Sequence, residues 1–181
     1  MIAVASGRRT EGRSRLRVEL VDVNNKTVTV QRLPAGSTSP RPGGLDLDFG
    51  DRDALAITRQ WSAGGRYDDR MGRSELYFRS STGRLRTLMR FKGTLDAHAC
   101  GSRAVVLIKP PRSHAFKAIR VFDRSGGLSL HRAAPRGGAF FGLHCSAKFA
   151  VSFLDSADPW WPGEPPAYDG FRVFELSKLG R

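Results

Sequence analysis

Along most of this chain, apolar and polar residues alternate one for one over short runs. Leu16, Val18 and Leu20 are separated by Arg17 and Glu19. Asn24-Asn25 then punctuates the chain, and Thr27–Val30 resumes with β-branched residues. Alternation of period 2 puts one set of side chains on each face of a strand, so this reads as a hairpin. Leu45-Asp46-Leu47-Asp48-Phe49 repeats the pattern after a Pro/Gly/Ser loop over 34–44. Two further runs, Glu75–Ser80 and Arg84–Phe91, flank Ser81-Thr82-Gly83. In the second of them Leu85, Met89 and Phe91 are expected on one face, and Arg84, Arg86 and Arg90 on the other.

Ala104–Ile108 is continuously apolar and stops at Pro110-Pro111. Phe116–Phe122 and Leu128–His131 bracket the turn Asp123-Arg124-Ser125-Gly126-Gly127, and Phe149, Val151 and Phe153 alternate again. Asp51–Ala63 fits a helix, with Asp51 as N-cap and Gly64-Gly65 as the stop. It fits a strand through Leu55, Ile57 and Trp61 equally well. Phe171–Leu176 closes the chain as a strand or a short helix. Some eight to ten short strands with Gly/Pro turns predict an all-β domain, a mostly antiparallel β-sandwich or barrel with at most one or two short helices. No internal repeat of fixed period is visible. The expected segments are a basic N-terminal arm (1–14), the β domain (15–154), an acidic Pro/Trp-rich loop (155–170) and the closing element (171–181).

Charge changes this picture. The 181 residues carry a formal net charge of +13, which implies acidic partners. The excess is uneven: residues 1–20 carry +3, residues 101–150 carry +8, and residues 151–181 carry −2. Base composition accounts for arginine outnumbering lysine, but not for acids vanishing from one stretch and returning in the next. Within 101–150 a single acid, Asp123, faces nine bases. The candidate polyanion-binding residues are therefore Arg112, Lys117, Arg120, Arg124, Arg132, Arg136 and Lys148, with Arg8, Arg9 and Arg13 in the arm. Arginine suits phosphate because its planar fork binds two oxygens at once. The interleaved rings Phe116, Phe122, Phe140 and Phe141 are expected in the core rather than stacked on bases.

The stretch DSADPWWPGEPPAYD (155–169) holds four acids, four prolines and no base. Trp160, Trp161 and Tyr168 are candidate anchors for a partner, since extended Pro-rich chain loses little entropy on docking. They serve equally as plugs for the end of a barrel. His98, Cys100, His144 and Cys145 are the weak candidates for a metal site. Their spacing matches no familiar zinc motif; ordinary buried cysteines and surface histidines are the main reading, with a Cys100–Cys145 disulfide the other alternative. No cofactor is expected. Asp46/Asp48 and Asp68-Asp69 are carboxylate pairs that read better as solvated edges than as acid–base machinery.

Two short stretches resemble known families. SAGGRYDDRM and the hairpin after it resemble the opening strands of jacalin-type lectins, through Gly64-Gly65 and Asp68-Asp69, with Tyr67 where that family has tryptophan. Asp123-Arg124-Ser125-Gly126-Gly127 is similar to the cyclic-dinucleotide-binding PilZ motif, one residue shorter. The first covers under a fifth of the chain, and neither extends to a family assignment.

The expected function is a non-enzymatic structural subunit of a large assembly: a ribonucleoprotein, an organellar complex or a capsid. Its basic face would meet RNA or acidic protein subunits. A lectin-like or nucleotide-binding module is the alternative, and a small hydrolase the second. No apolar run reaches the length of a membrane span. The compartment expected is intracellular, organellar (mitochondrial) or a virion. Gly7, Gly12 and the lack of an amphipathic face speak against a targeting segment.

Overall fold

The computed structural model describes residues 2–10, 13–33, 36–37, 42–50, 54–61, 72–80, 84–111, 113, 115–155 and 170–179. Fifteen strands and one terminal 3-10 turn make up the regular structure among them. The chain divides into two compact units, Met1–Pro42 and Gly43–Arg181.

The first unit holds sheet 1, built from β1 (Ile2–Thr10), β2 (Arg13–Asp22), β3 (Thr27–Arg32) and β4 (Gly36–Ser37). The order is β1-β2-β3, with β4 also paired to β2. The expected hairpin is present, with Asp22 opposite Thr27. Its turn is closed by Asp22, whose carboxylate accepts from the backbone N–H of Asn24 (3.0 Å) and the side chain of Asn25 (2.8 Å). Residues 2–10, within the stretch read as an arm, run as β1 antiparallel to β2, with Arg8 opposite Arg15 and Arg9 opposite Ser14. Val18 and Leu20 are buried, and the register places their neighbours Arg17, Glu19 and Val21 on the other face.

The second unit holds three sheets. Sheet 2 runs β5 (Pro42–Phe49), β6 (Leu55–Trp61), β7 (Arg73–Arg79), β8 (Arg86–Lys92). Sheet 3 runs β9 (Thr94–Cys100), β10 (Arg103–Lys109), β11 (Ala118–Phe122), β12 (Leu128–Ala133). Sheet 4 runs β13 (Ala139–Cys145), β14 (Phe149–Asp155), β15 (Gly170–Glu175), followed by the 3-10 turn Leu176–Lys178. Each described pairing is antiparallel between strands consecutive in sequence. Sheets 2 and 3 are thus four-stranded meanders in which each strand pairs with the next in sequence.

The all-β, antiparallel class read from the sequence is what the structure shows, distributed over several sheets. The helical option for Asp51–Ala63 is corrected: Leu55–Trp61 is β6. Its neighbours decide this. Leu55, Ala56 and Ile57 are all buried, and a helix leaves one side in water where this segment needs apolar cover on both.

Two apolar layers hold sheets 2, 3 and 4 together. Ala54, Ala56, Leu76, Phe78 and Met89 of sheet 2 pack on Leu95, Ala97, Ala99, Val106 and Ile108 of sheet 3. The opposite face of sheet 3, with Val105, Leu107, Ile119 and Val121, packs on Phe140, Leu143 and Ala150 of sheet 4 and on Leu176. Sheet 3 is therefore the middle layer. That explains the unbroken apolar run of β10, since both of its faces are interior.

The edges of these layers are pinned covalently and sterically. Cys100 of β9 and Cys145 of β13 form a disulfide, with Cα atoms 5.5 Å apart. Beside it, Gly101 turns β9 into β10 at φ +62, and a Cβ there would lie 2.7 Å from that of Ala147. Only glycine fits this approach of the β9–β10 turn to the β13–β14 turn.

Candidate polyanion-binding edge

Sheets 2 and 3 each end in a strand paired on one side only, β8 and β12. A bulge in β8 sets the chemistry there. Met89 lies opposite Leu76 and Thr87 opposite Tyr77, so Leu88 is left without a partner in the ladder. The single cationic face expected of this hairpin is corrected by that extra residue. Arg86 falls opposite Phe78, on the face turned to sheet 3, whereas Arg90 falls opposite Glu75 on the other face.

Arg86 reaches across to sheet 3, where its guanidinium donates to the carbonyl of Ser125 in the β11–β12 turn. The turn lies close against β8: a Cβ on Gly126 (φ +86) would stand 2.9 Å from Leu88 Cδ2. Arg120 of β11 bridges in the same region. Its Nε donates to His131 Nδ1 at 3.1 Å, and its Nη1 lies 3.9 Å from Met89 Sδ in β8. Arg132 donates to the carbonyl of His131 at 3.3 Å, and Arg124 is exposed at the tip of the turn. Arg86, Arg120 and Arg124 thus lie where β8 meets β11 and its turn, whereas Arg132, opposite Ile119, belongs to the face of sheet 3 turned to sheet 4.

The acid among them is already committed. Asp123 Oδ1 accepts from the backbone N–H groups of Ser125 (2.7 Å) and Gly127 (2.9 Å) and from the Ser125 hydroxyl. These bonds, the Ser125 hydroxyl foremost, hold its carboxyl below the usual carboxylate range. The carboxylate closes the turn rather than neutralising a neighbouring arginine.

The other sequence candidates lie elsewhere. Lys117 donates to the carbonyl of Gly138 at 3.0 Å, in the turn that holds exposed Arg136. Lys148 is exposed in the β13–β14 turn. Arg8, Arg9 and Arg13 sit on the β1–β2 hairpin of the other unit. Arg112, Trp160, Trp161, Tyr168 and the lectin-like stretch 62–71 lie outside the described residues. Arg86 was missed as a site residue. Its alternation was visible, but the bulge and the neighbouring turn that give it a role are tertiary. Phe122 and Phe140 are buried as expected, and Phe140 meets Phe174 edge-on at 6.3 Å.

The proposed metal ligands are not assembled, because Cys100 and Cys145 are bonded to each other. His98 takes a different role. Its Nδ1 lies 3.6 Å from Asp48 of β5 and its Nε2 lies 3.3 Å from Asp96 on its own strand. Hydrogen bonding to Asp48, then to Asp96, pushes its pKa up to about 10. Burial raises that of Asp48, but hydrogen bonds from His98 and from the backbone N–H of Ala99 (2.7 Å) outweigh it and hold the group low. With a carboxylate at each ring nitrogen, His98 is a fixed cation with no lone pair to offer as a base.

A second polar cluster is interior to sheet 2. Arg59 and Tyr77 are buried, and the Tyr77 hydroxyl donates to Glu75. Glu75 Oε1 also meets Arg90 at 3.3 Å and Arg73 at 3.7 Å. Burial, then the Glu75 bond, pushes the Tyr77 phenol up to about 12.

Fold and site together define an all-β protein of serial antiparallel meanders with one arginine-lined edge. No family model matches the chain, and no curated protein matches it. Among solved structures it is similar to the β-propeller domain of the Trilobed protease from Pyrococcus furiosus, at 11% identity and a TM-score of 0.42. That likeness covers 96% of this chain and 54% of the other, so the chain spans about half the length of its match.

Proposed function

We propose that this protein is a non-enzymatic structural subunit of a larger assembly, and that its arginine edge contacts RNA or another polyanion. One observation carries the reading: Arg86 of β8 meets the β11–β12 turn beside exposed Arg124, with Arg120 of β11 reaching the same strand β8, while the adjacent Asp123 is consumed by its own turn. An edge of that kind favours a phosphate backbone, which arginine binds with paired donors and which releases counterions on contact. His98, held as a cation between two aspartates, has the geometry of a clamp rather than of an acid–base pair.

The test is titration of a single-stranded RNA oligonucleotide across a salt series. Wild-type affinity is expected to fall steeply with salt. In the Arg120→Glu/Arg124→Glu/Arg132→Glu variant, binding at low salt should collapse and the log–log slope should shrink by about 0.7 per lost phosphate contact. Unchanged binding in that variant, with its fold verified by circular dichroism, would place the contact elsewhere. Absence of any salt-sensitive binding in the wild type would remove the polyanion reading.

A further inference from the structure

The face of sheet 3 turned to sheet 2 is apolar along β9 and β10, where Leu95, Ala97, Ala99, Ala104, Val106 and Ile108 line it. It turns basic on β11 and β12. The register sets Arg120 beside Val106 on one side and beside His131 on the other, so the two basic residues share that face. Arg120 is half-buried, and His131 is exposed on the edge strand. Arg120 Nε donates to His131 Nδ1 at 3.1 Å, and its Nη1 rests 3.9 Å from Met89 Sδ. These are the contacts of its guanidinium among the described residues, and neither is with a carboxylate. The other charged groups here are Arg86, which β8 turns to this face, and Arg124 and Asp123 of the β11–β12 turn. Asp123 is engaged by its own turn.

The direction of the Arg120–His131 bond fixes the state of the ring. A guanidinium donates and never accepts, so His131 Nδ1 must carry its lone pair and the ring proton sits on Nε2. The bond therefore exists only while His131 is neutral. Histidine is the side chain that changes charge between about pH 5 and 8. When a proton from solvent adds to Nδ1, Arg120 loses its acceptor and meets a second cation in its place.

We infer that His131 is a pH-dependent latch on Arg120, and that acidification strengthens the polyanion contact of this edge. The inference rests on the polyanion reading and adds its regulation. With His131 neutral, Arg120 Nε is occupied, and the fork that binds two phosphate oxygens at once is incomplete. With His131 protonated, the guanidinium is released and the ring supplies a further donor, so phosphate oxygens satisfy both. Arg86 and Arg124 are cations in either state. They set the base level of binding, and His131 sets the increment. The linkage is reciprocal: a bound polyanion favours the protonated ring, so binding takes up a proton from solvent.

The experiment titrates full-length protein with oligouridylate, whose bases keep their charge throughout, at pH 5.5 and pH 8.0 and constant ionic strength. Wild type should bind about tenfold more tightly at the lower pH, the worth of one added charge-assisted contact. His131→Gln keeps an amide oxygen for Arg120 but does not titrate, and it should lose most of that ratio. His131→Ala has no acceptor, so Arg120 is free at both pH values and binding at pH 8.0 should exceed that of wild type. In the protein without RNA, the Arg120 Nε–H resonance should move with the His131 titration by NMR. His131 is exposed, and circular dichroism at both pH values verifies each fold. Equal wild-type affinity at the two pH values overturns the inference and leaves the polyanion reading in place. So does a His131→Ala variant that binds no more tightly than wild type at pH 8.0, which would mean that the ring acts by its own charge alone. Wild type that binds at neither pH removes the reading, and this inference with it.

Discussion

Single side chains carry two predictions. The His98 pKa is raised from about 6.5 to about 10, so folding takes up a proton at this site across that interval. Its contribution to stability is complete below about pH 6.5 and is lost as pH rises through about 10. Chemical denaturation at pH 6, 8 and 10 should show the wild type weakening along that series, and His98→Gln should flatten the decline. Asp48 acts in the opposite sense: its lowered pKa makes its contribution present at neutral pH and lost on acidification. The second prediction concerns buried Glu75, which lies opposite buried Arg59 in the β6–β7 ladder and pairs with Arg73 and Arg90. Glu75→Ala removes the counter-charge from that interior and should cost about 3–5 kcal/mol in urea unfolding. None of this was legible from sequence. Arg59 interrupts an apolar run and looks like a solvent-side residue. His98 looked like a weak metal ligand until Asp48, fifty residues earlier, was brought to its ring.

At the scale of elements, the alternation at 17–20 and 149–153 was readable because each of those strands has one buried and one more exposed face. β6 was ambiguous for a physical reason: Leu55-Ala56-Ile57 is buried on both sides, and a strand of that kind loses the period that identifies it. The bulge at Leu88 was invisible because nothing local announces it; β8 must satisfy Phe78 and Leu76 across the ladder at once. The disulfide was one of three readings of the same cysteines, beside a metal site and ordinary buried thiols, and only the packing of β9 near β13 separates them. Reducing it should lower stability by about 4 kcal/mol, the loop-closure value for about 45 residues, seen as a lower melting temperature in reductant. Gly101→Val should destabilise by a separate route, because it places a branched Cβ at φ +62 against Ala147. The two effects are adjacent in space, so their sum is not expected to be additive.

On the scale of the whole molecule, the sequence shows no repeat, yet sheets 2 and 3 repeat one meander and sheet 4 repeats most of it. A meander asks only for strand length, alternation and a tight turn, so its copies can share a path without sharing residues. Charge was the most legible global property, and the structure refines it: the described bases of the +8 stretch are dispersed over β10, β11, β12 and the β11–β12, β12–β13 and β13–β14 turns, and Arg86 joins them from another sheet at the β11–β12 turn. The Cys100–Cys145 bridge also governs how the chain answers to mechanical load. Strands β10 to β12 and nearly all of β13 lie between the two cysteines, so tension applied at the chain ends passes through the sulfur atoms and bypasses them. In single-molecule stretching, reductant should release about 150 Å of additional contour length, given 45 residues at about 3.3–3.6 Å each. Oxidised, the middle of the second unit is a closed loop that a pulling partner cannot unravel.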